Sequence, residues 1–164
     1  MQAGLMDGCS ITIRQGKSDD LPALLGIWRG AVEATHAFLT PADMDWYQNI
    51  VTTYIPRMRD LRVGETNIGT VVGFIAQDEG DIHMLFVDPL HQGRGIGTQL
   101  LEHVGALFVV LNVDVNEQNP AGRRFYQARG FTQVGRSELD GEGRNFPILH
   151  LRRQRIVALK PNGA

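Results

Sequence analysis

The stretch that decides the fold of this chain is LFVDPLHQGRGIGT, residues 85–98. An apolar run ends at Pro89, a turn with glycine at positions 93, 95 and 97 follows, and an amphipathic segment then begins. Glycine lets the backbone adopt positive φ and lets a ligand approach closely. A strand, a glycine turn and a helix in this order leave free N–H groups at a helix N-terminus, where an anion such as a pyrophosphate binds.

The composition is that of one globular domain. With 164 residues, 43% of them hydrophobic and 21% charged, the chain can bury a full core. We therefore expect a single domain over residues 1–164, with disordered ends at 1–9 and 160–164. The first nine residues also read as a misassigned start, with Met6 as the alternative to Met1.

The net charge and the cysteine content limit the expected binding partners and the expected cellular compartment. A formal net charge of −2 carries no basic excess, so we expect no nucleic-acid partner. No apolar run approaches the length of a membrane span, so we expect no membrane partner either. Cys9 is the single cysteine and cannot form an internal disulfide, which favours a reducing, cytoplasmic setting.

Hydrophobic periodicity predicts a mixed α/β domain. A helix capped by Ser18 and another following Pro41 precede the glycine turn, a third helix follows it, and Asn119 with Pro120 begins a fourth that ends at Gly130. Strands are predicted over residues 10–14, 61–65, 69–77, 81–87, 108–115, 131–136 and 146–151. Residues 108–115 are nearly continuously apolar, as in a strand covered on both faces. The expected sheet has about seven strands, antiparallel early and parallel around the glycine turn, with about four helices around it.

Three phosphate-binding loops can be compared with residues 92–98. A P-loop needs a lysine before Ser or Thr, and here Gly97 is followed directly by Thr98. A dinucleotide loop needs glycine where Thr98 stands, although Asp114 lies roughly where its ribose-binding acid falls. The third pattern is Gln or Arg, two residues, Gly, one residue, then Gly or Ala. QGRGIG, residues 92–97, matches it at every fixed position.

On these residues the chain resembles the GNAT superfamily of acetyl-coenzyme A dependent N-acetyltransferases. The resemblance runs over residues 11–151 and includes NVDVNEQN at 112–119, Phe125 with Tyr126, and Gly130 with Phe131. ATHAFL at 34–39 and GRSE at 135–138 are similar to a subgroup of small bacterial members. The resemblance implies the GNAT fold with strands 4 and 5 splayed apart, acetyl-coenzyme A as cosubstrate, and coenzyme A as product.

The resemblance also implies a set of cofactor contacts. The loop holds the pyrophosphate, and free backbone groups of the fourth strand pair with the pantetheine arm. The amide of Leu85 would polarise the thioester carbonyl. Asn119 would both cap its helix and contact the cofactor. The residues assigned to the cofactor are Leu85, Val87, Gln92, Gly93, Arg94, Gly95, Gly97, Thr98 and Asn119.

Tyr126 is the candidate general acid, because a phenol is still protonated at neutral pH and family members carry a tyrosine at this point. Its other reading is an amphipathic aromatic with its hydroxyl tied to the backbone. For the general base we consider two side chains that strand alternation puts on the face of Leu85. These are Asp81 and, between the two, His83, whose imidazole changes charge near neutral pH. Either can instead belong to the preceding turn or face solvent.

The acceptor site is expected at the join of the first two helices. Trp28, His36 and Phe38 would line it, with Phe146 and His150 opposite, although core packing is the more usual reading of a tryptophan at helical spacing. The five histidines show no metal-ligand spacing, so we expect no metal site.

The predicted function is direct acetyl transfer to a primary amine, of a small molecule or a peptide, in a ternary complex. The alternatives are a non-catalytic module that senses acyl-coenzyme A and, less favoured, a dinucleotide-binding protein. The oligomeric state is open, although a homodimer is common in the family.

Overall fold

The computed structural model describes residues 10–157, and over this range the chain forms seven strands and four helices. The strands are β1 (Thr12–Gln15), β2 (Asp60–Glu65), β3 (Val71–Asp78), β4 (Asp81–Val87), β5 (Val110–Asn116), β6 (Thr132–Ser137) and β7 (Ile148–Gln154). The helices are α1 (Leu21–Thr35), α2 (Pro41–Tyr54), α3 (Ile96–Gly105) and α4 (Pro120–Gln127). Cys9, the alternative start at Met6 and the ends expected to be disordered lie outside the described residues. Within 10–157, none of the helices combines the length and the apolar character that a membrane span requires.

The strands form one mixed sheet in the order β1-β2-β3-β4-β5-β7-β6. Neighbouring strands are antiparallel except β4 and β5, which are parallel. These two pair only near their N-terminal ends, where Asp81 faces Asn112 and Ile82 faces Val113. Beyond that point they separate and leave a gap in the sheet. The predicted mixed sheet with splayed strands 4 and 5 is confirmed.

Each face of the sheet has its own hydrophobic core. Alternation along β3 sends Phe74 into the core beneath α1 and α2, and Ile75 into the core beneath α3 and α4. Both side chains are fully buried. The gap between β4 and β5 therefore lies between two rigid helical layers.

A β-bulge in β4 changes the direction of the strand's side chains before the gap. The register between β3 and β4 shifts by one residue at His83. As a result Ile82 and Leu85, three residues apart, both pack into the core beneath α3 and α4. Asp81 precedes Ile82 and so lies on the opposite face from Leu85. The predicted common face for Asp81, His83 and Leu85 is wrong, because strict alternation does not hold across a bulge.

The start of α1 also differs from the prediction. The helix begins at Leu21 after a 3-10 turn, so the predicted cap at Ser18 is wrong. The Asp20 carboxylate instead accepts the backbone N–H of Lys17 at 2.7 Å. Arg14 on β1 donates to both of its oxygens at 2.9 Å. This bidentate pair joins α1 to the edge of the sheet.

Candidate active site

A cavity of about 560 Å³ fills the gap between β4 and β5. Its walls come from the separated parts of both strands, the glycine loop with the first turn of α3, α4, and the C-terminal end of α1. The predicted site residues that line it are His36, His83, Leu85, Val87, Gln92, Gly93, Gly95, Gly97, Thr98, Asn119 and Tyr126. The predicted site residues that do not line it are Trp28, Phe38, Asp81, Arg94, Phe146 and His150.

The glycine loop forms a cradle of backbone N–H groups. Gly93 and Gly95 have φ of +75° and +79°, the left-handed region in which a side chain is strained. Gly95 is the N-cap of α3 and offers no side-chain cap, and the first hydrogen bond of the helix runs from Gln99 N–H to Gly95 O at 3.0 Å. The earlier N–H groups of the helix are therefore available to an anion.

Gly97 has a different role, which is close packing. A Cβ at this position would lie 3.2 Å from the Phe125 ring. The loop can therefore lie directly against α4, which brings Tyr126 to the same cavity. Arg94, in contrast, is exposed and borders a separate hollow beside Thr66 and Thr70.

Arg129 is a cavity residue that the sequence motif does not identify. Its guanidinium donates to Thr98 Oγ1 through Nε and Nη2 at 2.9 and 2.6 Å. It lies 3.8 Å above the centre of the Phe125 ring and also donates to the carbonyl of Phe125 at 2.8 Å. The Thr98 hydroxyl is thus occupied by Arg129, and a fixed positive charge stands next to the cradle.

The unpaired edge of β4 offers backbone groups to the cavity. Asp88 N–H donates to Val72 O of β3 at 2.8 Å. Because backbone groups alternate sides along a strand, the N–H and C=O of Leu85 and Val87 point away from β3, toward the gap. If β4 had no extra residue at His83, the N–H and C=O groups of the residues after it would be reversed and those of Leu85 would point toward β3. The bulge therefore directs the Leu85 amide into the cavity.

Tyr126 is held in a buried aromatic group at the other side of the cavity. It is 7% exposed and makes edge-on contacts with Phe125 and Phe131, with ring centroids 5.1 and 5.2 Å away. Within residues 10–157 we find no hydrogen-bond partner for its hydroxyl. Burial raises the pKa of the Tyr126 phenol, so the group stays protonated at neutral pH. Its helix starts at Asn119, whose Oδ1 accepts Gly122 N–H at 3.0 Å, as the cap prediction required.

The two base candidates occupy different places. Asp81 lies at the closed end of the gap, where its carboxylate accepts the Asn112 amide at 2.7 Å. His83 is exposed on the bulge and borders the cavity. Of the predicted pair, only His83 borders the cavity.

Of the predicted acceptor residues, His36 lines the cavity, whereas Phe38 and Phe146 form a wall beside it. Phe38 contacts His36 and Phe146, with ring centroids 5.3 and 5.5 Å apart. Tyr47 of α2, which the sequence did not single out, adds a contact to Phe146 at 6.3 Å. We call Phe38, Tyr47 and Phe146 the aromatic wall. Trp28 does not belong to it, because it is 5% exposed and packs in the core beneath α1 and α2.

A hydrogen-bonded chain of three side chains crosses β5, β7 and β6. Asp114 Oδ1 lies 2.6 Å from His150 Nδ1, and His150 Nε2 lies 2.7 Å from Ser137 Oγ. Asp114 lines the cavity, so His150 reaches the site only through this carboxylate. On β5 the polar Asp114 alternates with buried Val113 and Val115, and the expectation that both faces of this strand are covered is wrong.

Comparison with known proteins agrees with this geometry. The model of the acetyltransferase (GNAT) domain matches residues 59–133. The peptidyl-lysine N-acetyltransferase YjaB of Salmonella typhimurium is 38% identical over 141 residues, which cover 86% of this chain and 97% of that protein. The YjaB of Escherichia coli K12 is 34% identical, with 86% and 95% covered.

A solved structure supports the same assignment. The solution structure of the apo form of Escherichia coli YjaB superposes with a TM-score of 0.83 at 33% identity, over 90% of this chain and 99% of that one. The predicted family, fold and enzymatic class are thereby confirmed, and the readings as a non-catalytic sensor or a dinucleotide-binding protein are set aside. The chain belongs to the GNAT acetyltransferase family and is an N-acetyltransferase that takes its acetyl group from acetyl-coenzyme A.

Proposed function

We propose that this N-acetyltransferase acts on the ε-amine of lysine residues in proteins or peptides. The observation that carries the proposal is the carboxylate of Asp114, which lines the cavity and is held by His150 at 2.6 Å. An ammonium group entering the gap meets a negative charge there, which favours a cationic acceptor. The names of the two YjaB relatives, both peptidyl-lysine N-acetyltransferases, support the same acceptor class.

The donor is proposed to lie across the gap. The N–H groups of the glycine loop would hold its pyrophosphate, with the side-chain amide of Gln92 and the charge of Arg129 beside it. The backbone of Leu85 and Val87 would pair with the pantetheine arm as an added strand. Asn119 would contact the same arm from the start of α4. The positive φ of the loop glycines and the unpaired edge of β4 fit such a ligand.

The chemical step follows from two groups on opposite sides of the cavity. The amine lone pair attacks the thioester carbon, and the carbonyl electrons move to oxygen, where the Leu85 N–H would stabilise the negative charge. When the carbonyl re-forms, the C–S bond breaks, sulfur takes the electron pair, and the Tyr126 phenol would protonate it. The nitrogen loses its second proton, which restores the phenol. From the neutral amine the net result is an amide and free thiol, and the one proton that the ammonium loses beforehand goes to the base.

Attack requires that the ammonium first lose a proton. Of the two predicted bases, His83 borders the cavity, but its side chain is exposed and forms no hydrogen bond within residues 10–157 that would orient the ring. Asp81 is already bonded to Asn112 at the closed end of the gap.

The remaining predictions stay part of this proposal. A single domain over the whole chain is sufficient for the reaction, because both sides of the cavity belong to one sheet. A cytoplasmic setting rests on the single cysteine, and a homodimer rests on the family alone.

The test is an acceptor panel with the purified chain and acetyl-coenzyme A. The panel contains a peptide with one internal lysine and a blocked N-terminus, the same peptide with arginine in place of lysine and a free N-terminus, free lysine, and a polyamine. Thiol release gives the rate, corrected for hydrolysis, and mass spectrometry locates the acetyl group. We expect turnover on the blocked lysyl peptide at the ε-amine. Acetylation of the free N-terminus alone, or of the small amines alone, would overturn the lysine assignment and leave the enzymatic class intact.

A further inference from the structure

His36 is the one predicted acceptor residue that lines the cavity, and its backbone is held on both sides. It follows the last residue of α1, its N–H donates to Val32 O at 2.8 Å, and its carbonyl accepts Leu39 N–H at 3.0 Å. The Phe38 ring packs against the imidazole at 5.3 Å. The ring is therefore placed by local structure and does not depend on a bound ligand.

The hydrogen bonds around Thr35 determine which nitrogen of His36 carries the proton. Thr35 Oγ1 lies 2.7 Å from Ala31 O and 2.7 Å from His36 Nδ1. A carbonyl can only accept, so the single hydroxyl hydrogen of Thr35 is donated to Ala31. Thr35 Oγ1 must then accept from His36, which puts the proton on Nδ1. The neutral ring consequently carries its lone pair on Nε2.

The surroundings keep this ring neutral. Burial disfavours the imidazolium and lowers the pKa of His36 below its ordinary value. The other titratable or charged side chains that border the cavity are His83 on β4, His91 after β4, Asp114 on β5, Tyr126 on α4 and Arg129 after α4. Within residues 10–157, none of them forms a hydrogen bond with His36. At neutral pH the cavity is thus bordered by an imidazole whose Nε2 is unprotonated and whose tautomer is set by Thr35.

We propose that His36 is the general base of the reaction and that Thr35 is its positioning residue. The proposal rests on the proposed acceptor, a lysyl ammonium. Nε2 takes one proton from this group and leaves R–NH₂ with its lone pair free, while the ring becomes an imidazolium protonated on both nitrogens. After the acetyl group has moved, Nε2 releases that proton to solvent. His83, on an exposed bulge without a hydrogen-bond partner in residues 10–157, lacks such a fixed tautomer.

The test compares His36→Asn with His83→Asn. The asparagine amide at position 36 can still donate to Thr35 in place of Nδ1 but has nothing in place of Nε2. We expect His36→Asn to lower kcat/KM for the lysyl peptide about a hundredfold at neutral pH. The KM for acetyl-coenzyme A should stay unchanged, and the acidic limb of the pH profile of kcat/KM should disappear. His83→Asn, at the competing base candidate, should keep that limb. The matched control is His103→Asn on α3, outside the cavity lining, which should keep the limb and remain within about threefold of the parent, below the usual effect of losing an acid–base group.

Variants of Thr35 test its positioning role, because a purely structural contribution of Thr35 would leave the acidic limb of the pH profile unchanged. Thr35→Val keeps the shape and removes the hydroxyl, so the acidic limb should shift along the pH axis, and Thr35→Ser should restore it. Thermal unfolding of each variant shows whether it is folded. An acidic limb that survives in His36→Asn, or that disappears in His83→Asn, overturns the proposal.

A second measurement separates this proposal from the acceptor assignment. Nitrogen NMR of ¹⁵N-histidine-labelled protein without acceptor reports the tautomer and titration of His36 directly. A neutral ring protonated on Nε2 would overturn the inference whatever the acceptor is. Absence of turnover on the lysyl peptide by the unmutated chain would instead overturn the acceptor assignment.

Discussion

The two sides of the cavity are built in different ways. The proposed donor side, made of the glycine loop 92–98 and the free edge of β4, uses backbone N–H and C=O groups from one continuous stretch of chain. The proposed acceptor side uses side chains, and these come from the segment between α1 and α2, from α2 and β5, and from the segment before β7. At most positions the donor side does not depend on the identity of the side chain. The acceptor side depends on the identity of each of its side chains.

This difference explains why the two sides can change independently. A backbone cradle is defined by glycine conformation and by the start of a helix, so it suits one constant ligand. A wall of side chains can be altered residue by residue without moving the sheet. Substitutions on the donor side should therefore change the kinetics of acetyl-coenzyme A, and substitutions on the acceptor side those of the amine.

Tyr126→Phe should have the largest effect, because the general acid serves both substrates at once. We expect kcat to fall about a hundredfold or more, with both KM values nearly unchanged. The matched control is Tyr54→Phe, which removes the hydroxyl of a tyrosine that is 46% exposed on α2. Initial rates with varied donor and acceptor check the prediction, and an equal loss in both variants would refute the assignment of the acid.

Asp20→Asn should lower stability without touching either side of the cavity. The variant loses the charge-assisted hydrogen bonds between the Asp20 carboxylate and Arg14. This loss should lower the free energy of unfolding by about 1.5–3 kcal/mol. Because Arg14 lowers the pKa of Asp20, this stabilisation is present at neutral pH and is lost as the pH falls through the lowered folded-state pKa. Urea unfolding between pH 7 and 3 should show a flatter pH dependence in the variant. A change in either KM would mean that the cavity is less independent of the sheet edge than proposed.

Gly95→Ala should weaken the donor side alone. The φ of +79° is left-handed and costs a side chain about 1–2 kcal/mol, although the added methyl group meets no neighbour within 4 Å. We expect the KM for acetyl-coenzyme A to rise about tenfold, since about 1.4 kcal/mol corresponds to a factor of ten. Gly26→Ala in α1 is the control, because it also meets nothing within 4 Å and has no positive φ. It should raise stability by about 0.5–1 kcal/mol.

Phe38→Leu should have the smallest effect and should be confined to the acceptor side. Its contacts to His36 and Phe146 are aromatic pairs, each worth about 0.5–1.5 kcal/mol beyond buried area. We expect the KM of the lysyl peptide to rise about three- to tenfold by the same conversion. The KM of acetyl-coenzyme A should not move. If it rises in parallel, the two sides of the cavity are coupled and the comparison fails.

The elements of the fold were largely predictable because their signals are local. Residues 81–87 were predicted as a strand with the bounds that β4 has, and the Asn119 cap formed as its position before Pro120 required. Two predictions were wrong, the helix cap at Ser18 and the common face of Asp81, His83 and Leu85. Both errors have one cause. The Asp20 carboxylate is held by Arg14 of β1 and the bulge at His83 arises in the pairing of β4 with β3, and hydrophobic periodicity registers neither contact.

The residues of the candidate site differ in the same way: local signals identify some of them, and contacts between distant segments bring in the others. Gly93, Gly95 and Tyr126 were identified from the motif and its context, because they are close in sequence to the helix that positions them. Asp114 and Arg129 were not given a place in the site, since their roles arise from contacts with residues 36 and 31 positions away. The helical spacing of Trp28 fits either a pocket residue or a core residue. Its burial shows that it belongs to the core.

The sequence by itself determined the proposed donor side of this protein, because a glycine turn between a strand and a helix leaves backbone N–H groups available to an anion. It thereby determined the family and the acetyl donor. Only the tertiary structure decided which way the Leu85 amide points and which side chains line the cavity between β4 and β5. These properties depend on a one-residue register shift and on hydrogen bonds within and between distant segments, and pairing of this kind is settled when the sheet and its helices pack together.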